Sequence, residues 1–449
     1  MGSPLETMSA SASSSTVRTT EADAVFMDRA LELAARGLAL TSPNPMVGTV
    51  LVRKGKIIGE GFHTYEGVRH AEIVALEAAS EPLAENSGGL AGGLSGGLVR
   101  DLSGGLVGRA FRHDKKAVIL SGVSTPEVQN ARAATESDAA RGATLYINLE
   151  PCCHKGRTGP CTNALILAGV KRVVAAMEDP NPAVAGRGFK HLRAAGIEVS
   201  TGLREAQARR LAESFAKWIV TRQPLVTLKS ALTLDGQLVL PYARGRARPP
   251  LKNRWISSPE SRAEVQHMRH ASDALLTGIG TILGDDPLLT DRTGLPRRRK
   301  LLRVVLDSRL RLPLRSNLVR SAENDVLVFT RAEEDSPKAR ELRRAGVEIV
   351  RVAGRGEKPD LRAVIAELGR REMLSVLLEA GATLNSAALA AGIVDKMRVF
   401  LAPKIAGFQG VSAAPSGFQS ACELQNVTMA QFGVDFAVEG YLRDVYRTR

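Results

Sequence analysis

Apolar and polar positions along the chain alternate in two successive series of strands and helices. Val25, Ala30, Leu33, Ala34 and Leu38 recur at helical spacing, which predicts an amphipathic helix over 21–39. Two apolar runs at 46–52 and 56–62 flank Arg53-Lys54-Gly55 and predict a hairpin, and helical spacing returns over 71–79. From 143 onward, short strands at 145–149, 172–177 and 197–200 alternate with helices at 162–168, 189–195 and 204–220. A second series follows Pro224, with strands at 225–232, 274–277, 302–306, 326–330, 347–350 and 375–378 and helices at 259–270, 337–344, 361–370 and 383–391. Repeated β/α order implies an α/β chain with parallel or mixed sheets covered by helices. The expected division is a Ser/Thr/Ala-rich disordered tail over 1–22, one unit over 23–222 and another over 223–449.

The first series is interrupted. Gly-Gly-Leu occurs four times, at 88–90, 92–94, 96–98 and 104–106. Glycine loses much entropy on ordering and this stretch offers little to bury, so about 85–141 reads as a flexible insertion. The expectation is that it loops out and leaves the rest of its unit intact.

Composition narrows the partners. A formal net charge of +14 favours anionic ligands, whether nucleic acid, phosphorylated metabolites or dinucleotides, although a generic basic surface explains it equally well. An aromatic content of 4% argues against a base-stacking platform as the main business. The densest cationic run, Arg297-Arg298-Arg299-Lys300, is expected in a loop. No apolar run is long enough to span a membrane, and the start of the chain lacks a signal-peptide core, so the expected location is the cytoplasm.

Three of the four cysteines, Cys152, Cys153 and Cys161, lie within ten residues, which reads as metal chemistry rather than a disulfide framework. His70-Ala71-Glu72 opens the helix at 71–79, Cys152 follows a strand and Cys161 begins a helix whose N-terminus should favour its thiolate. One imidazole and two thiolates leave a tetrahedral zinc one open position for water, the arrangement of a catalytic site. Glu72, two residues from His70, can reach that water without ligating, which suits a general acid/base. Cys153 and His154 are the weaker ligand candidates. A structural Cys/His zinc module is the rival reading, but such sites close with four ligands in paired Cys-x-x-Cys spacing, which is absent here. A lone His-x-Glu occurs often by chance.

The long motif Glu150-Pro-Cys-Cys-His-Lys-Gly-Arg-Thr-Gly-Pro-Cys161 resembles the deaminase half of the bifunctional riboflavin-biosynthesis deaminase–reductases. So do Ser42-Pro-Asn-Pro-Met-Val-Gly48, Gly61-Phe-His63 and Asp179-Pro-Asn-Pro-Ala-Val-Ala-Gly-Arg-Gly188. In the second unit, Leu234-Asp235-Gly236, Gly280 to Pro287, Leu306-Asp307-Ser308 and Leu378 to Leu384 are similar to that family's reductase. The resemblance implies a cytidine-deaminase-like three-layer domain followed by a dihydrofolate-reductase-like domain. It implies zinc and NADPH as cofactors. It also implies deamination of 2,5-diamino-6-(ribosylamino)pyrimidin-4-one 5′-phosphate, then reduction of its ribosyl group to give 5-amino-6-(ribitylamino)uracil 5′-phosphate. A small phosphorylated pyrimidine is then the partner, without nucleic acid or membrane, and a homo-oligomer is expected. The alternative is a nucleic-acid base deaminase with an appended domain, which the charge and the short zinc signature alone would allow.

The resemblance also distributes roles. His70, Cys152 and Cys161 hold the metal and Glu72 moves the proton. Asn44, His63, Arg157 and Thr158 face the deaminase substrate. An Asn amide both donates and accepts, which suits a pyrimidinone edge, though an Asn between prolines also simply turns a chain. Lys229, Asn253, Arg269, Leu289, Arg292 and Glu379 face the reductase substrate. Ala231, Trp255, Thr281, Asp285, Ser308 and the run Gly381, Ala382, Thr383, Leu384, Asn385, Ser386 and Ala387 face NADPH. No Gly-x-Gly-x-x-Gly follows the first strand of that unit, so the helix start after Gly381 is the expected phosphate site. The chain departs from the family pattern at Gly159, where Pro is usual, at Ala380, where Gly is common, and in a long basic stretch over 242–252.

Overall fold

A computed structural model describes residues 19–65, 69–80, 138–154, 159–239, 255–354, 356, 358–407, 411–412 and 423–446. The Gly-Gly-Leu insertion, Arg157, Thr158 and Asn253 lie outside the described residues.

The first unit begins with helix α1 (Glu21–Ala35), whose cap is Thr20 in a capping box with Asp23. The expected tail boundary at residue 22 therefore moves back, since Thr20 already closes the helix. Strands β1 (Gly48–Arg53) and β2 (Lys56–Phe62) form the expected hairpin. Helix α2 (Ala71–Ser80) follows, and beyond the insertion come β3 (Thr144–Ile147), α3 (Cys161–Leu167), β4 (Arg172–Ala175), α4 (Arg187–Ala194) and β5 (Glu198–Thr201). The strands form one sheet in the order β2-β1-β3-β4-β5, antiparallel on the hairpin side and parallel from β3 to β5.

Both faces of this sheet are buried. Leu51, Leu145, Ile147, Val173 and Ala175 pack with Leu76, Leu165, Phe189 and Leu192 from α2, α3 and α4. Their sequence neighbours Val50, Val52, Tyr146 and Val174 point the other way, onto Met27 and Ala30 of α1 and onto Ala208 and Ala212 of a later helix. Burial on both faces makes these strands continuous apolar runs rather than alternating ones. Ala140 also lies in this core, so the expected insertion cannot extend through residue 141.

That later helix, α5 (Glu205–Thr221), serves two cores. Its first half packs on the first sheet, whereas Phe215 and Trp218 pack with Leu374 of the second unit and the Trp218 indole donates to the Gly369 carbonyl at 2.9 Å. Lys217, nearly buried, pairs with the fully buried Asp395, which also accepts from the Val226 N–H at 2.8 Å.

The second unit is built on a nine-stranded sheet. Its elements are β6 (Leu225–Thr233), α6 (Pro259–His270), β8 (Ala274–Gly278), α7 (Ile279–Asp285), β9 (Leu302–Leu306), α8 (Asn317–Arg320), β10 (Val326–Thr330), α9 (Pro337–Arg344), β11 (Val347–Arg351), α10 (Leu361–Arg370), β12 (Ser375–Glu379), α11 (Ala382–Ala390), β13 (Lys396–Ala402), β15 (Gln425–Phe432) and β16 (Asp435–Tyr441). The short pair β7 (Gln237–Val239) and β14 (Val411–Ser412) stands apart from it. The order is β11-β10-β9-β8-β12-β6-β13-β16-β15, parallel up to β13 and antiparallel beyond.

The strands from β13 onward, the pair β7 and β14, and helices α7 and α8 were not expected from the pattern. In β13 the apolar rhythm is broken by Lys396 and Arg398, which are covered only because they pair with Glu213, Glu439 and Glu264 at 2.8–3.0 Å. A charge hidden by its partner looks like a surface position in sequence. β15 is an edge strand and mostly exposed, so it carries little apolar signal. Arg297 to Lys300 do lie in a loop, between α7 and β9.

Candidate active sites

The first site forms where α2 meets the segment after β3. Helix α2 lies so close to β2 that a Cβ at Gly61 would come within 2.3 Å of the Ala71 carbonyl oxygen. Only glycine permits that approach, which fixes the start of α2 and the residue before it, His70. The Thr49 hydroxyl donates to the same Ala71 carbonyl at 2.8 Å. Downstream, the buried Asn148 accepts from the Gly48 N–H and donates to the Met46 carbonyl, both at 2.9 Å, so the exit of β3 is tied to β1.

The sequence reading passed over Glu150, which the structure makes a hub. Its buried carboxylate accepts four backbone N–H groups, from Asp179 at 3.1 Å, Gly186 at 2.9 Å, Gly188 at 2.7 Å and Phe189 at 3.2 Å. Gly188 sits so tightly here that a Cβ would meet the Pro151 carbonyl oxygen at 2.2 Å. The Asp-Pro-Asn-Pro segment thereby braces the turn that delivers Cys152. The signal for Glu150 was present, an acidic residue at the end of an apolar strand, but it has no meaning until its donors are adjacent.

His70, Cys152 and Cys161 converge, with ligand atoms all within 4.8 Å of one another. Both sulfurs approach the His70 Nδ1, Cys161 at 3.2 Å and Cys152 at 3.6 Å. A tetrahedral zinc with ordinary Zn–N and Zn–S bonds holds such atoms about 3.6 Å apart, so this donor set and its spacing fit zinc. Neither Cys153 nor His154 joins the cluster. Left to protons alone, the three groups titrate as a unit. A hydrogen bond from the Cys161 thiol and the adjacent imidazole bring Cys152 down to about 4, and the same contact drives Cys161 up. The Cys152 contact pushes His70 up to about 9. The helix N-terminus acts differently from expectation: the Cys161 backbone N–H points at the Cys152 sulfur, at 3.4 Å, so α3 favours the Cys152 thiolate rather than its own.

Glu72 is buried in the first turn of α2. Burial raises its pKa, opposed by the charge of His70, so its carboxyl takes up a proton more readily than a solvated one. Beside it, the His63 ring stands edge-on to His70, with centroids 5.5 Å apart. His63 Nδ1 lies 2.9 Å from the Arg69 carbonyl oxygen, which only accepts, so Nδ1 carries the proton. Nε2 then accepts from the Asn44 amide at 3.0 Å. Burial lowers the His63 pKa and keeps the ring neutral. With its amide nitrogen committed, Asn44 has its carbonyl oxygen for a ligand.

The second site lies outside the carboxyl ends of β8, β12 and β6, where ligands collect in open parallel sheets. Arg269 forms a two-pronged pair with Glu379, at 2.7 and 2.9 Å, and donates to the Thr290 carbonyl at 3.1 Å. Lys229 lies opposite Glu379 in the β6–β12 register. Burial pushes Glu379 up, but Arg269, Lys229 and Arg292 together hold it below the usual carboxylate range. Burial likewise lowers Lys229. Arg292 is exposed, and its backbone N–H donates to Gln266. The Leu289 side chain is buried in the core at a positive φ of 58°, so only its backbone is available to a ligand.

Two helix starts face this crevice. α7 after β8 and α11 after β12 are each capped by a glycine, Gly278 and Gly381, with no side-chain cap. Nothing would stand within 4 Å of a Cβ at Gly381, so space is open over the N–H groups of Ala382, Thr383 and Leu384. An uncapped helix start with open space suits a dinucleotide pyrophosphate. Ser386 and Ala387 lie farther along α11, and the buried Asn385 turns its amide to the Ala380 carbonyl at 3.2 Å. The Thr277 hydroxyl of β8 donates to the Thr281 hydroxyl of α7 at 3.1 Å, and Asp285 ends that helix. Ser308 follows β9, Ala231 lies in β6, and the exposed Trp255 carries the Arg262 guanidinium over its ring at 3.8 Å.

Known proteins bring the two sites together. The cytidine and deoxycytidylate deaminase zinc-binding region matches residues 20–90 and 113–177, and the RibD C-terminal domain matches 224–438. The first match passes over 91–112, which hold three of the Gly-Gly-Leu copies. The chain is 36% identical over 396 residues to the riboflavin biosynthesis protein RibD of Escherichia coli, covering 86% of this chain and 89% of that protein. It is 35% identical over 400 residues to RibD of Aquifex aeolicus, covering 89% and 92%. Among solved structures, Acinetobacter baumannii RibD aligns with a TM-score of 0.70 at 32% identity, covering 94% of this chain and 99% of that one. The Thermotoga maritima diaminohydroxyphosphoribosylaminopyrimidine deaminase/5-amino-6-(5-phosphoribosylamino)uracil reductase aligns at 0.68 and 31%, with the same coverage. A zinc-deaminase site, a reductase crevice and this likeness along nearly the whole length place the chain in the RibD family, the bifunctional deaminase–reductases of riboflavin biosynthesis.

Proposed function

We propose that the chain performs two consecutive steps of riboflavin biosynthesis, with a division of labour near residue 222. The first unit deaminates 2,5-diamino-6-(ribosylamino)pyrimidin-4-one 5′-phosphate. The second reduces the ribosyl group to give 5-amino-6-(ribitylamino)uracil 5′-phosphate. The observation that carries this reading is the convergence of His70, Cys152 and Cys161 beside a buried Glu72 in a chain that also holds the crevice around Glu379.

Zinc held by His70, Cys152 and Cys161 supplies a Lewis acid that makes water nucleophilic at neutral pH. Glu72, buried beside these ligands, would take a proton from the attacking water and deliver it to the departing amino nitrogen, a role its raised pKa suits. Asn44, oriented by neutral His63, presents its carbonyl to the pyrimidine amino edge. Arg157 and Thr158 are assigned to the substrate phosphate. In the second unit, NADPH supplies a hydride. The α11 start holds its phosphates, with Ser308, Thr281, Asp285, Trp255 and Ala231 around the remainder. Arg269, Arg292 and Lys229 hold the phosphorylated substrate against Glu379, with Asn253 and the Leu289 backbone alongside.

No helix among the described residues is long and apolar enough to cross a membrane. A cytoplasmic homo-oligomer without nucleic-acid partners fits a small-molecule enzyme of this kind. The Gly-Gly-Leu insertion is assigned no part in either site. The test supplies the diaminopyrimidinone phosphate with NADPH and follows ammonia release and NADPH oxidation separately. Ammonia release should come first and NADPH oxidation should depend on it. Salt-sensitive RNA binding without either reaction would favour a nucleic-acid deaminase instead.

A further inference from the structure

Arg298 belongs to the second unit in sequence, yet it grips the first unit beside Asn44. Its backbone N–H donates to the Ala39 carbonyl at 2.9 Å, and its guanidinium donates to the Ser42 carbonyl at 2.6 Å. One residue thus clasps both ends of the turn over 39–42. The same guanidinium lies over the Tyr65 ring, 3.4 Å from its centroid, and the Tyr65 N–H donates to the Leu40 carbonyl at 3.3 Å. Arg299 donates to the Ser42 hydroxyl at 2.7 Å, and that hydroxyl donates to Asp273 at 3.0 Å.

The grip falls on the two segments that carry the Asn44–His63 pair. Asn44 follows the clasped turn by two residues, and its N–H donates to the Thr41 carbonyl at 2.9 Å. Tyr65 follows His63 by two residues. Arg298 therefore spans the flank of one member of the pair and the flank of the other. A planar guanidinium both stacks and donates, and an ammonium does not reproduce that combination.

We propose that Arg298 is a positioning residue for deamination: the reductase unit supplies, through it, the contact that aims Asn44 at the pyrimidine. The proposal rests on the deaminase reading above. It makes the deaminase site incomplete without its neighbour, although the three residues of the metal cluster all belong to the first unit.

The test uses full-length, zinc-loaded enzyme. In R298A the deaminase kcat/KM should fall about tenfold, carried mainly by KM, because the substrate contact is displaced rather than the proton shuttle. Zinc content should be unchanged, as should reductase kcat/KM on the deaminated intermediate. R298K should recover only part of the loss, and it carries the same measurement if R298A does not fold. The double variant N44A/R298A should be no worse than N44A alone, since both act through one contact. Wild-type deaminase parameters in R298A, additive losses in the double variant, or a reductase loss matching the deaminase loss would each overturn the proposal. A wild-type enzyme that releases no ammonia would instead overturn the functional reading on which it stands.

Discussion

At the scale of single residues, proton chemistry and metal binding come apart. Glu72 lies beside the cluster without belonging to it. Glu72→Gln should therefore keep zinc, measured by metal analysis, while kcat for ammonia release falls by about 10²–10⁴. A variant with normal deamination would reduce the cluster to a scaffold. Asp23 gives a second prediction, in stability. Burial alone would raise its pKa, but hydrogen bonds from the Tyr146 hydroxyl, Thr20 and Arg172 overcome it and leave the carboxyl near 2 from an ordinary 3.8. A folded-state pKa below the unfolded one gives stability that is full above the unfolded value and lost as pH falls through the folded one. Denaturant unfolding should thus lose about 2 kcal/mol between roughly pH 4 and pH 2, and Asp23→Asn should remove that part of the pH dependence.

Elements place these residues, and the placing is most exposed at the turn after β3. Four N–H groups converge on Glu150, and a Gln there keeps one acceptor oxygen where the carboxylate had two. Glu150→Gln should weaken zinc retention in a chelator competition by about 10–100-fold, with the helical content of the far-UV spectrum unchanged. The same region shows what was legible beforehand. His70, Glu72, Cys152 and Cys161 are chemically distinctive, and their helix and strand settings follow from apolar spacing, so the cluster could be assembled from sequence. The partner of the Cys161 N–H could not, because it depends on which sulfur lies within 3.4 Å. Strands β6, β8, β9, β10 and β12 were legible as apolar runs because both faces are largely buried, and β11 by the alternation of its buried and exposed positions. β13 and β16 were not, since Lys396, Arg398 and Glu439 are hidden by pairing with residues distant in sequence, and β15 was not because it is a mostly exposed edge strand. For the reductase crevice, spacing identified a helix start after Gly381, and resemblance supplied the other residues.

The whole molecule is joined by α5 and by the buried pair it carries. Asp395 accepts from Lys217 and from the Val226 N–H, all three being shielded from water. Asp395→Ala would leave a buried ammonium and an amide without their acceptor, at a cost of about 3–5 kcal/mol. Because that pair joins both units, ammonia release and NADPH oxidation should be lost over the same temperature range in the variant. Loss of one activity well before the other would mean that the halves melt independently.

Helix α5 also bears on divisibility. Two catalysts in one chain invite separation at the point where their sequences abut, here just after Thr221. The apolar wall does not run there. Phe215 and Trp218 are covered by Leu374 and the Gly369 carbonyl, so a cut after Thr221 leaves an oily patch on one fragment and its bare counterpart on the other. Splitting this enzyme into two soluble monofunctional proteins, by a gene engineer or by descent, therefore has to begin with new surface along 213–218, whatever linker is chosen.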